Sequence, residues 1–221
     1  MSCSVVQFKF RETDRWPQEC REVARKPRKN RSTFRHGNLP AALIAAAIGR
    51  LRTGGAESLS LRELARDAGV NHRAVYRHFP DKLSLLAAVA REGWLRLMKE
   101  MMRQKGERKR GEAALVASAV GFFRFASAHP NLFHLMAGPR INRQQAFPQF
   151  EEAVTGAMRV FLEGFWEINT PRKHAHTRTL LFVAALTGVV EQILHRRIRV
   201  RPQETEALVA EAAKRLLSGL R

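Results

Sequence analysis

The chain has 221 residues, of which 45% are hydrophobic, enough for a sizeable core and too many for wholesale disorder. Its net charge of +19, from 39 Lys and Arg against 20 Asp and Glu, points to a polyanionic partner, either nucleic acid or an acidic membrane surface. Cys3 and Cys20 make neither a disulfide framework nor zinc-ligand spacing, and no apolar run precedes the first charges, so a reducing cytoplasm is the expected compartment.

Residues 1–37 carry net +6, the highest charge density of the chain, without lasting periodicity. They read as a mobile basic arm, or as sequence upstream of the true start codon. From residue 38 the texture becomes helical. Asn38 is a candidate N-cap with Pro40 in the first turn, and Ile44, Ala47, Ile48 and Leu51 recur at helical spacing. Gly54-Gly55 offers a left-handed C-terminal cap. Ser60 and Glu63 form the S-x-x-E pattern of a capping box, with Leu61, Leu64, Ala65 and Ala68 on one apolar face and Gly69 as the stop. Asn71 can cap a third helix that reaches Phe79 and turns Val75 and Phe79 inward. Pro80 breaks the chain, and Asp81 can cap a fourth helix over 82–102. Its predicted apolar side holds Leu83, Leu86, Val89 or Ala90, Leu97 and Met101.

A charged, glycine-containing linker follows at 103–112. Beyond it the spacing predicts helices over 112–128, 131–137, 150–166, 175–198 and 203–220, with a loop at 138–149. The longest apolar run, 180–190, falls short of the roughly 20 residues of a membrane helix and reads as a buried helix. In the last helix Leu208, Ala212, Leu216 and Leu220 repeat at helical spacing. With no convincing strand or internal repeat, the expected fold is all-α with about nine helices. The chain divides into the arm at 1–37, a small helical unit at 38–84 and a larger one at 85–221.

Three short helices in about 40 residues, the last two joined by a glycine turn, describe a helix-turn-helix. A helix fits the roughly 12 Å major groove of B-DNA, where Arg can pair with guanine and Asn with adenine through two hydrogen bonds. The third helix offers Asn71, His72, Arg73, Tyr76 and Arg77 on the side away from Val75 and Phe79. The segment "LIAAAIGRLRTGGAESLSLRELARDAGVNHRAVYRHFPDKLSLL" resembles, without a gap over about 45 residues, the homeodomain-like DNA-binding domain of TetR-family transcriptional regulators. "YRHFPDK" resembles the family's Y-x-H-F-x-x-K motif. "FASAHPNLFHLM", at 125–136, resembles a motif of one C-terminal subfamily. That subfamily also carries W-H-G on its eighth helix, and here only Gly188 of "VAALTG" matches it.

The resemblance implies that Ser60 caps the second helix near a phosphate. Asn71, His72 and Arg73 would face bases or phosphates, Tyr76 and His78 the DNA backbone or the helix packing, and Lys82 a phosphate. It further implies a ligand-binding and dimerising second domain. Phe122, Phe125, Phe133, Met136, Met158, Phe161, Phe165, Trp166 and Phe182 could line an apolar pocket there, or simply fill the core.

Other chemistries find less support. His174 and His176 would diverge by about 200° on a helix, His129 precedes a proline, and His134 and His195 are isolated in sequence. No G-x-S-x-G, H-E-x-x-H or phosphate-loop pattern occurs, so no enzyme, metal site or cofactor is expected. "HRRIRVRP", at 195–202, reads as a basic helix terminus followed by a loop. The expectation is a ligand-responsive regulator, acting as a repressor. It would bind a palindromic double-stranded operator as a homodimer, respond to an unidentified small-molecule effector and make no membrane contact. The alternatives are a nonspecific architectural DNA-binding protein whose second half only dimerises, and a membrane-surface protein driven by its charge.

Overall fold

The computed structural model describes residues 38–107, 109–138, 141, 146–168 and 170–220. The basic segment 1–37, with Cys3 and Cys20, and much of the loop expected at 138–149 lie outside the described residues. Among those described there are nine α-helices and no strand. They are α1 (Leu39–Arg50), α2 (Leu61–Asp67), α3 (His72–His78), α4 (Lys82–Lys105), α5 (Gly111–Ala128), α6 (Pro130–Ala137), α7 (Pro148–Glu167), α8 (Arg172–Leu194) and α9 (Pro202–Gly219). A 3-10 turn, Ala56–Ser58, sits between α1 and α2.

The helices α1, α2 and α3 pack on one another, and α1 leans on α4. Their shared core contains Leu43, Ala47, Ile48, Leu51, Leu59, Leu64, Ala65, Val75 and Phe79. From residue 82 the 24-residue helix α4 forms a spine for the second half, packing against α5, α6 and α7. Asp81 and Ser84 make a complete capping box at its start, with Asp81 Oδ1 accepting from the Ser84 amide at 2.7 Å. Layered outside are α8 against α7, and α9 against α5 and α8. Arg124 on α5 donates twice to the Glu206 carboxylate of α9, at 2.7 and 2.6 Å, and fixes that last layer. Some helices touch very closely: a Cβ on Gly121 would lie 2.8 Å from Met101 Cα and 3.0 Å from the Glu100 carbonyl oxygen.

Several expectations are corrected by the packing. Helix α1 stops at Arg50 rather than at the glycine pair. The Arg50 carbonyl accepts from both Thr53 and Gly54, closing a tight turn, and neither Gly54 nor Gly55 has a positive φ. On α4 it is Leu85 that is buried, whereas Leu83 is 40% exposed. Helix α8 ends at Leu194, before the basic loop. It is also not a wholly buried helix. Its inner face is Ala175, Thr179, Phe182, Leu186 and Val190, while Leu180 and Leu181 stand 48% and 51% exposed. By length and composition, Lys173–Leu194 could cross a membrane. On α9 the buried stripe is Thr205, Val209, Ala213 and Leu217. The expected stripe of Leu208, Ala212, Leu216 and Leu220 lies beside it and is only half-buried.

Candidate nucleic-acid interface

The turn that aims α3 is built from backbone hydrogen bonds. At the end of α2 the Val70 amide reaches back to the Ala65 carbonyl and the Gly69 amide to Arg66, both at 3.0 Å. This is the paired closure of a Schellman turn, and it requires a left-handed residue at Gly69, where φ is +64°. Val70 packs against the core, as the residue at that place in such a turn commonly does. Asn71 then caps α3, its Oδ1 accepting from the Arg73 amide at 2.9 Å.

Val75 is fully buried and Phe79 nearly so, which turns the opposite side of α3 outward. Asn71, His72, Arg73, Tyr76, Arg77 and His78 are all exposed. Tyr76 is 41% exposed and meets the His72 ring edge-on, with centroids 6.5 Å apart. The sequence expectation for Val75, Phe79 and the polar face thus matches the observed placement.

On the flank, one expectation fails and one side chain has an additional partner. The Ser60 side chain makes no capping bond to α2, so the S-x-x-E capping box does not form. Its would-be partner Glu63 is taken by Arg50, at 2.7 Å from Nη1 to Oε2. The same guanidinium binds Asp67, with Nε and Nη2 at 2.8 and 2.6 Å from Oδ2. The Asp67 hydrogen bond is the largest cause holding the Arg50 pKa above its ordinary value. Arg50 therefore clamps α1 to both turns of α2 and pairs with two carboxylates beside the basic face. Lys82, half-buried, donates from Nζ to the Glu57 carbonyl at 2.7 Å, tying α4 to the 3-10 turn. An ammonium has three donors, so two remain for a phosphate.

Further links went unread in the sequence because they join distant elements. Asn131 on α6 donates from Nδ2 to the Leu51 carbonyl at the end of α1, 2.9 Å away. Trp94 on α4 is 8% exposed, and its Nε1 is buried without a hydrogen-bond partner among the described residues.

In the second half, Phe122, Phe133, Phe161, Phe165 and Phe182 form one chain of ring contacts from α5 to α8, at centroid distances of 5.4 to 6.5 Å. Phe125 stands apart from that chain beside His129, at 5.2 Å. Met136 lies over Gly93 of α4, Met158 is buried, and Trp166 is partly buried against the core.

Comparison with known proteins identifies the two halves separately. Residues 43–89 match the model of bacterial regulatory proteins of the tetR family. Residues 115–216 match a tetracyclin repressor-like C-terminal domain. The chain belongs to the TetR family of transcriptional regulators. A protein of unknown function from Rhodococcus sp. RHA1 is 30% identical, over 86% of this chain and 98% of that one, with a TM-score of 0.71. A TetR transcriptional regulator from the same organism is 22% identical over 85% and 100% of the two chains, with a TM-score of 0.63. A TetR variant from Acinetobacter baumannii AYE, solved in complex with minocycline, is 21% identical over 85% and 96%, with a TM-score of 0.60. As a TetR-family member the chain is a DNA-binding transcription regulator, not an enzyme.

Proposed function

We propose that this TetR-family regulator binds a palindromic operator as a homodimer and is released by a small molecule taken up between the helices of its second half. The carrying observation is α3 itself. One face is locked in the core by Val75 and Phe79, and the other presents Asn71, His72, Arg73 and Tyr76 with no competing acidic group among them. In this reading Arg73 reads base edges, His72 and Asn71 contact bases or phosphates, and Tyr76, Ser60 and Lys82 fix the DNA backbone. His78, at the end of α3, supports that register. The DNA-binding unit comprises residues 38–84, and the protein acts in the cytoplasm.

The dimer forms through α8 and α9. Leu180, Leu181, Ala184 and Gly188 make an exposed apolar strip on α8, and a second copy of the chain is the occupant that buries it symmetrically. Two recognition helices then enter major grooves about 10 bp, or a multiple, apart. The effector displaces part of the aromatic cluster around Phe122, Phe133, Phe161 and Phe182. The unpartnered Trp94 indole N–H supplies a buried donor for its polar end. Effector binding shifts the population toward a spacing of the two heads that misses the operator.

The test is binding to the DNA upstream of the gene, with random competitor and a salt series. Specific binding exceeds nonspecific binding by at least about 10³-fold. Arg73→Ala relaxes sequence preference, while Lys82→Ala weakens binding to all sequences alike. Equal competition by random DNA would leave the architectural reading in its place.

A further inference from the structure

Three side chains that no sequence spacing connects meet at the end of α8. His134 lies on α6, Glu191 in the last turn of α8, and His195 immediately after that helix. Their ligand atoms all lie within 4.8 Å of one another. His195 Nε2 is 2.9 Å and His134 Nε2 3.4 Å from the same oxygen, Glu191 Oε2. The two imidazoles are stacked nearly parallel, 7° apart with centroids at 5.1 Å. The expectation that His134 and His195 are isolated is therefore corrected by the fold.

We propose that this trio is a binding site for a divalent cation of the zinc class, held by two imidazole nitrogens and one carboxylate oxygen. The donor set selects the metal. Magnesium and calcium take oxygen ligands, whereas imidazole suits zinc, nickel and copper. The size also fits. A tetrahedral ion with bonds of 2.0–2.2 Å has its ligand atoms about 3.3 Å apart, and the two nitrogen–oxygen separations, 2.9 and 3.4 Å, bracket that edge. The third edge, between the two imidazoles, is within 4.8 Å, and the stacked rings turn toward each other for both lone pairs to meet one ion.

Two of the ligands are positioned by one helix. The His195 amide still bonds the Glu191 carbonyl at 3.0 Å, so Glu191 and His195 stand one turn apart on the same side. The third arrives through the placement of α6. The side chains are 39%, 27% and 49% exposed for His134, Glu191 and His195, which gives an ion an entry path and leaves a fourth position for water. Arg196 and Arg197 follow directly but are exposed, so solvent and salt screen their repulsion of a cation. No residue of the trio belongs to the DNA-facing surface, and only His134 adjoins the aromatic cluster, its ring 6.5 Å from that of Phe133.

The full chain, freed of metal with a chelator, is titrated with zinc chloride by calorimetry and with cobalt chloride by visible absorption. One equivalent binds per chain, and cobalt gives the strong absorption of a four-coordinate site. Affinity falls by about 100-fold or more in His134→Ala, Glu191→Gln and His195→Ala, the upper end of what losing a mere supporting group costs. His174→Ala, outside the trio, leaves it unchanged. X-ray absorption of the zinc-loaded unaltered chain reads two imidazoles and oxygen, a result that does not depend on any variant folding. Absence of zinc binding, affinity unaltered in all three trio variants, or sulfur around the zinc (which would place it on Cys3 or Cys20) overturns the proposal.

Discussion

Gly188 offers a test in which the effect on one chain and the effect on a dimer have opposite signs. It lies inside α8, it is exposed, and a Cβ placed there meets nothing within 4 Å. Within a single chain, Gly188→Leu replaces the least favourable helix residue after proline with a good one, a gain of about 0.8 kcal/mol. In a symmetric dimer closed on this strip, the same leucine is inserted twice into a close contact. Overpacking costs about 1–3 kcal/mol per site, hence about 2–6 kcal/mol for the pair. That corresponds to a dimer weakened by about 30-fold to 10⁴-fold. Sedimentation equilibrium measures the association, and circular dichroism at a concentration where both proteins are monomeric measures the fold. The expected result is a helical chain at least as stable as the parent, with markedly weaker self-association and weaker operator binding. An unchanged dimer affinity would remove this face from the interface.

Three further outcomes follow from other contacts. Gly121→Ala sets a methyl against the backbone of α4, which has no side chain to swing aside. After the gain in helix propensity it costs about 2 kcal/mol and lowers the melting temperature by about 4–8 °C; Gly49→Ala, with open space around it, does not lower it. His129, between α5 and α6, has its pKa lowered from the ordinary 6.5, first by burial and then by Arg96 and Arg52. Below about pH 6.5 the unfolded chain binds this proton more readily than the folded one. Stability is therefore fully present above that pH and declines as the pH falls through it, and His129→Gln flattens this part of a urea-unfolding series. Asn131→Ala leaves the Leu51 carbonyl without its partner at a cost of about 1–3 kcal/mol, and hydrogen exchange at the end of α1 accelerates if that bond is the tie described.

How far the fold could be read depended on the range of the interaction. The helices and the turn at Gly69 were legible because periodicity, caps and a left-handed glycine are local properties of the chain. The capping box at Ser60 was not, because Arg50, 13 residues earlier, claims the Glu63 carboxylate. The inner stripe of α9 was missed because Leu208 and Leu216 are as apolar as Val209 and Leu217. Which stripe turns inward depends on where α5 and α8 stand. For the recognition helix, both the buried pair and the polar face were visible in nine consecutive residues. The His134, Glu191 and His195 cluster had no comparable mark: α6 and the end of α8 lie about 60 residues apart and become neighbours only through packing.

The bond from Asn131 to Leu51 gives α6 a mechanical role. It makes that eight-residue helix an outrigger of the DNA-binding head, although it is drawn from the middle of the other half. The head then need not deform to change its aim. A tilt of about 10° along an outrigger roughly 12 Å long moves its far end by about 2 Å. Displacements of that size, passed through an interface, are what switching proteins use to reposition whole units. In the proposed effector-driven reading, the stroke can thus be short, provided that it is delivered at α6.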